Sequence, residues 1–506
     1  MFKRSIRLLA AIGLLFAAAT PASASWLRAE SEHFIVYSES NEATLRRQVL
    51  MLEDFDALLR LLTDVRSNDP VQKLPVYLVR SNGELRQVAR VGTSVGGFYY
   101  PSSRGIAAFI NAGLNGLVGE YVGPNEILFH EYAHHFMMQF HSNAYPTWYV
   151  EGFAEYLGTA RFVDQYVEIG RASDMRTMVL SNRANWVPFE WILFQRERVP
   201  DQARFYSQSW ILTHYLLSDD TRRQQLVAYL NALARREQPR AAFRASFGMD
   251  PGQMQTRIER YATQPLRITR LDRSSVARPP QIAITPLPRS ADQLLLTQAA
   301  LSLGAEPEPS DVARVRRIAR GNDPLSKRVL AEVELLAGDG PVAERLLTEL
   351  LAATPNDPEL LYLRGMRHVV AARAAEGDAR REQYRLARSW LTRAHRADAR
   401  HFPSLYRYVE TFSGEPTFTS DNNVNAVLLA MQLAPQVYEI RMAAGAMLIL
   451  RGEHEQAQRI LEPLASNAHS GAWAQRARAL LQKAIDRTSE GVTVEFYRPR
   501  GQRDDD

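Results

Sequence analysis

The stretch Pro124-Asn125-Glu126-Ile127-Leu128-Phe129-His130-Glu131-Tyr132-Ala133-His134-His135-Phe136-Met137-Met138-Gln139-Phe140 decides how this chain is read. Pro124-Asn125 opens it, and apolar residues follow on most faces (Ile127, Leu128, Phe129, Phe136, Met137, Phe140), so a buried helix is predicted over 125–140. His130 and His134 stand four apart. That spacing stacks two imidazoles one turn apart on one face, where both reach a single ion, and Glu131 projects beside them. Two imidazoles and a carboxylate among apolar side chains carry a large desolvation cost unless their polar groups are compensated, and a divalent cation does that. A hydrogen-bonded pair of core histidines is the other reading of the spacing.

The next segment, Pro146-Thr147-Trp148-Tyr149-Val150-Glu151-Gly152-Phe153-Ala154-Glu155-Tyr156-Leu157, reads as a second helix with carboxylates four apart. Catalytic zinc takes three protein ligands and leaves one position open, and His, His, Glu is one of its standard sets. Glu151, followed by a glycine that lets helices approach closely, is the expected third ligand. Glu155, one turn on, is expected to hydrogen-bond a ligating imidazole and fix its tautomer; the alternative is a plain exposed acid. Cysteine is absent, which excludes disulfides, Cys-ligated zinc, iron–sulfur clusters and thiol nucleophiles. The expected cofactor is one Zn²⁺ per chain.

Working outward, residues 26–115 read as mixed α/β. His33–Tyr37 and Leu74–Val79 are strand-like, Leu45–Leu62 is an amphipathic helix, and Gly96–Tyr100 with Ile106–Ile110 flank a turn as a hairpin. Helical pattern runs from Pro124 to about Tyr261. Residues 265–289 are rich in Pro, Arg and Ser and read as a linker. Beyond it the chain is helical and weakly repetitive: Ala331, Ala343, Leu347 and Pro355 suit a helix-turn-helix unit, Gly365 follows Ala331 by 34 residues, and Ala387, Leu391 and Ala394 resume the register after an insertion of about ten. Gly445, Gly452, Ala457 and Leu461 mark a further unit. A tetratricopeptide-like stack over 290–490 is expected, an unrelated helical domain being the alternative, and the tail, 491–506, is expected to fray.

The 506 residues, 46% hydrophobic and 23% charged, suit a globular chain of roughly three domains. Met1–Arg7 is basic, Leu8–Ala19 apolar, and Ala22-Ser23-Ala24 has the form of a signal-peptidase site, so residues 1–24 are expected to be an export signal and the mature chain periplasmic or secreted. No transmembrane segment is expected in that mature chain. Loss of Lys3, Arg4 and Arg7 takes the net charge from +5 to +2. The clusters Arg314, Arg316, Arg317, Arg320 and Arg235, Arg236, Arg240, Arg244 lack interleaved aromatics and read as solvated helix faces, with no nucleic-acid partner.

His-Glu-Tyr-Ala-His followed by Trp-Tyr-Val-Glu-Gly-Phe-Ala-Glu-Tyr resembles the gluzincin metallopeptidases, most closely the short bacterial peptidase MA-like domains, over about residues 26–260. The resemblance implies an α+β fold, a small mixed sheet with a helical zincin-like catalytic part over 25–264. It implies zinc on His130, His134 and Glu151, water activation by Glu131, and hydrolysis of a peptide or protein substrate. It also implies that the strand Ile106-Ala107-Ala108-Phe109-Ile110-Asn111 is where an extended peptide pairs, and that Tyr206, in Phe205–Trp210, donates to the oxyanion. Only 16 residues separate His134 from Glu151, fewer than in the zinc aminopeptidases, and their acidic anchoring motif is not found upstream, which argues against aminopeptidase action. The helical repeats are expected to bind substrate or a protein partner; the alternative function is an inactive peptidase-like scaffold in which the repeats do the binding. His135, His141 and His214 are expected to pack rather than ligate.

Overall fold

The computed structural model describes residues 26–66, 72–93, 95–113, 123–141, 143–194, 201–276, 280–466 and 471–496. The expected export signal and Arg498–Asp506 lie outside them. The chain is mixed α+β. Five strands come early: β1 (Leu27–Glu30), β2 (Phe34–Ser38), β3 (Leu74–Val79), β4 (Gly97–Pro101) and β5 (Ile106–Asn111). Helix α1 (Glu42–Thr63) crosses between β2 and β3, which pair in parallel as such a crossover requires. With β9 (Ala283–Pro286) the sheet order is β4-β5-β3-β2-β1-β9.

The strands read as near-continuous apolar runs because both faces of the sheet are covered. Leu74, Val76 and Leu78 of β3, and Ile106, Ala108 and Ile110 of β5, face a core shared with α1 and with α3 (Pro124–Phe140). Tyr77, Val79, Ala107 and Phe109 alternate to the other face. There the cross-strand neighbours Tyr37, Tyr77, Phe109 and Phe98 stack in a row, with ring centroids 4.6, 4.8 and 5.0 Å apart.

That second face is covered by α2 (Asn82–Val88) and by Ala291, Leu295 and Ala299 of a helix, Ala291–Ser302, that the sequence assigns to the repeats. The opposite side of the same helix, Leu294 and Leu301, packs on the helices that follow. The supposed linker is likewise structural. Within 265–289, β8 (Thr269–Asp272) pairs with β7 (Tyr166–Ile169), and β9 pairs with β1. The hairpin between β4 and β5 adds a third tie: Arg104 is buried against Glu332 and Glu359 and lies 4.3 Å from the Tyr362 ring.

Downstream of the sheet, α4 (Thr147–Gly158) packs on α3 and α7 (Gln202–Leu217) packs on α4, with α5 (Asp174–Ser181) and α6 (Phe189–Phe194) between α4 and α7 in sequence. Beyond the helices Pro251–Tyr261 and Ala291–Ser302, successive helices pack in sequence order out to Ile485. A Cβ on Gly445 would meet the Leu461 side chain at 2.5 Å and one on Gly365 the Leu391 side chain at 2.8 Å. These pairs are sixteen and twenty-six residues apart, so the same small-on-large contact recurs once the ten-residue insertion is allowed for. The tail does not fray at its start: Val492 and Phe496 are buried, and the Phe496 carbonyl accepts from the Arg407 guanidinium at 3.0 Å. Among the described residues no helix is long and apolar enough to cross a membrane.

Candidate metal centre

α3 starts at Gly123 with Pro124 at its first position, where a missing N–H costs nothing. Phe129 stacks on Phe55 of α1 at 4.1 Å, and Leu128, Ala133, Phe136 and Met137 are buried, which fixes the helix rotationally. His130 and His134 are thereby turned toward α4. There Gly152 sets the approach of α4 to α7, because a Cβ would lie 2.5 Å from the Ser209 carbonyl oxygen and clash with the Thr213 hydroxyl. The close crossing seats Glu151 at 4% exposure.

The three side chains converge. His130 Nε2 and His134 Nε2 are 3.0 Å apart, and the Glu151 carboxylate oxygens lie 3.6 Å from the first and 3.5 Å from the second. Donors about 2.0–2.1 Å from a tetrahedral ion sit roughly 3.3 Å from one another, so these separations fit an ion between them. His130, His134 and Glu151 form the one group among the described residues whose ligand atoms can hold a metal in this way. Burial pulls the His134 pKa down, but the Glu151 carboxylate outweighs it and holds the imidazole at about 9. Its Nδ1 is buried without a hydrogen-bond partner.

Glu155 is no exposed acid. It is 6% exposed, with Oε1 3.3 Å from His130 Nδ1. A proton on Nδ1 directed at that carboxylate leaves Nε2 as the lone-pair nitrogen facing His134 and Glu151. Arg176 of α5 grips Glu155 from behind with two bonds of 2.7 and 2.6 Å, and its guanidinium lies 5.4 Å from the Tyr206 ring. Sequence reasoning missed Arg176; a buried Glu155 demands a cation, but several arginines follow and nothing in the spacing selects this one. It also missed Glu126, one turn before His130, whose carboxyl is pushed up to about 7 by burial and by the charge of Glu155.

Tyr206 on α7 has its ring centroid 6.4 Å from that of His130. Burial, then the charges of Glu151, Glu155 and Glu131, raise its pKa, so its hydroxyl stays protonated and able to donate. Glu131 is half-buried on α3. Its charge is felt at His134, Tyr206 and Tyr99, which puts it on the same space as the candidate ligands.

One expectation fails. Ile106-Ala107-Ala108-Phe109-Ile110-Asn111 is β5, an interior strand with β3 in parallel on one side and β4 antiparallel on the other. Both rows of its backbone groups are occupied, so it has no edge to offer a peptide. The sheet ends instead at β4, which packs against α3.

The remaining histidines pack. His135 meets the Tyr99 hydroxyl at 3.0 Å and is held neutral by burial, with a pKa pushed down to about 4. His214 lies in the core with Nδ1 2.8 Å from the Tyr261 hydroxyl and Nε2 2.9 Å from the Gly170 carbonyl oxygen, and His141 caps the end of α3. Comparison with family models, with curated proteins and with solved structures finds no match.

Proposed function

We propose that this chain is a zinc-dependent metallopeptidase of the gluzincin kind, exported, with a tetratricopeptide-like helical stack that engages substrate or a partner. The observation that carries the reading is the convergence of His130 Nε2, His134 Nε2 and the Glu151 carboxylate at 3.0–3.6 Å, with Glu131 and Tyr206 on the same space. Two nitrogens and one oxygen from protein, with a position left open, is a donor set for catalytic rather than structural zinc. When bound there, zinc supplies Lewis-acid polarisation of a carbonyl and acidifies water.

The residues divide the remaining work. Glu131 takes the proton from the attacking water and returns it to the leaving amine, the role of a general base that becomes a general acid. Tyr206 donates its hydroxyl proton to the oxygen that gains charge as the carbonyl becomes tetrahedral. Glu155 holds the His130 ring and tautomer through Nδ1. The open strand of the cleft in this reading is β4, which offers an extended substrate a backbone edge beside α3.

The test is zinc content and peptide cleavage measured on the same preparations. Glu131→Ala is expected to retain metal and lose turnover, and His134→Ala to lose the metal. Equal zinc in wild type and His134→Ala overturns the ligand assignment.

A further inference from the structure

The tip of the hairpin between β4 and β5 is polar, Ser102-Ser103-Arg104-Gly105, yet Ser102 and Ser103 are only 4% and 8% exposed. Connecting turns ordinarily face water. This one is seated in the helical stack. A Cβ on Gly105 would lie 2.5 Å from the carbonyl oxygen of Ser302, the last residue of Ala291–Ser302. The Arg104 side chain, 9% exposed, reaches two helices further on, Pro324–Ala337 and Pro358–Arg373. One guanidinium nitrogen donates both to Glu332 of the first, at 2.9 Å, and to Glu359 of the second, and the guanidinium carbon lies 4.3 Å from the centre of the Tyr362 ring. Arg328 stands 4.0 Å from the same Glu359 oxygen, and His401 Nε2 3.2 Å from the other. Arg104 and Arg328 thus balance Glu332 and Glu359. Withdrawing one partner from a buried set of charges strands the rest, which is strongly unfavourable, so the tip is held where it is.

β4 is lightly held by its own sheet. Among the described residues it has β5 on one side and no strand on the other, and it is half-buried at every position, whereas β5 is buried throughout. A strand with one partner and little buried surface opens easily unless something else restrains it. The helical stack restrains it at two points. Arg104 anchors the chain three residues past Pro101, the end of β4. In the middle of the strand the Tyr99 hydroxyl lies 3.0 Å from His135 Nδ1 of α3 and also bonds Gln436, which is 2% exposed between the helices Asp421–Leu433 and Tyr438–Leu450.

We propose that Arg104 is a positioning residue for substrate: anchored in the helical stack, it fixes the β4 edge beside α3, so that the stack and whatever it carries set how tightly the cleft takes an extended peptide. The peptide rests on the metallopeptidase reading; the hold of the stack on β4 does not.

The test is hydrogen exchange read by mass spectrometry on the whole mature chain, with peptide-cleavage kinetics, zinc content and circular dichroism on the same samples. Arg104→Met alone strands two carboxylates opposite Arg328. Arg104→Met combined with Glu332→Gln removes one charge of each sign, so the cluster stays neutral and the chain is expected to fold. In that double variant the β4 amides are expected to exchange about tenfold faster while those of β3 keep their rate. KM is expected to rise about fivefold with kcat and zinc content unchanged, the mark of lost binding that ground state and transition state share. Both carboxylates are met by one nitrogen of Arg104, so Arg104→Lys is expected to restore most of the KM. Exchange of β4 at the wild-type rate in the double variant overturns the hold of the stack. Faster exchange with unchanged KM, or a fall in kcat alone, overturns the positioning role, and a KM as high in Arg104→Lys as in the double variant overturns its assignment to the Arg104 charge. A wild type that binds zinc and cleaves no peptide sinks the metallopeptidase reading, and the exchange rates still decide whether the stack holds β4.

Discussion

α3 runs between two clusters of histidine, carboxylate and arginine, and they differ in how their polar atoms are used. From one side of the helix Tyr132 donates to Asp56 Oδ1 at 2.6 Å, while Arg60 donates to Asp56 Oδ2 at 2.6 Å. His33 Nδ1 meets Glu53 at 2.6 Å, the His33 N–H donates to the same carboxylate at 2.9 Å, and Arg273 closes on Asp54 at 2.6 Å. Each carboxylate there faces a donor. On the other side two imidazole nitrogens and a carboxylate point at a common centre, and His134 Nδ1 has no partner. Both clusters carry the cost of burying charge; the first meets it from within the protein, and in the second the proposed metal ion would meet it. Composition alone does not separate them; saturation of the hydrogen bonds does.

The largest expected effect breaks the comparison if it fails. Glu131→Ala should lower peptide hydrolysis by about 10²–10⁴-fold with zinc content unchanged, whereas no change in the Asp56 cluster should touch turnover beyond its effect on folding; kinetics and metal analysis on the same samples check both. Next, Arg176→Ala releases the Glu155 carboxylate that orients His130, and zinc affinity measured against a competing chelator should fall about 10–100-fold. The saturated cluster answers in stability instead. Tyr132→Phe leaves an Asp56 oxygen without its donor and should cost about 1–3 kcal/mol in denaturant unfolding, with zinc content intact.

The smallest effect is one of pH. Burial alone would raise the Glu53 pKa, but His33 lowers it, and burial alone would lower that of His33, but Glu53 and Asp56 raise it. Glu53 therefore contributes stability above its unfolded pKa and loses it as pH falls through the depressed folded value. His33 contributes below its unfolded pKa and loses it as pH rises through the elevated folded value. The pair is worth most between about pH 4.5 and 6.5. The melting-temperature difference between wild type and His33→Asn should peak in that window.

Much of the candidate centre was legible because it is local. The 3.6-residue period places His130 and His134 on one face, and Gly152 announces the close crossing that brings Glu151 in. Strand alternation marked β2, β3, β4 and β5 within a residue or two of their observed limits. What was not legible depends on pairing at a distance. The resemblance offers β5 as the strand that pairs with a peptide, yet β3, far back in the chain, pairs with its other side and leaves it no edge. Residues 265–289 look like a linker by composition, yet eight of them lie in strands that belong to two sheets.

The sequence by itself determined the α+β class, the helices bearing His130, His134, Glu151 and Glu155, and the small-on-large register of the helical stack, because periodicity and residue size act between near neighbours. Only the tertiary structure decided that β4 is the sheet's end, that Arg176 backs Glu155, that Ala291–Ser302 completes the sheet's second face and that Arg104 is seated in the helical stack. The physical reason is that such choices turn on which of several similar partners is nearest once the chain has folded, and no spacing along the chain records that.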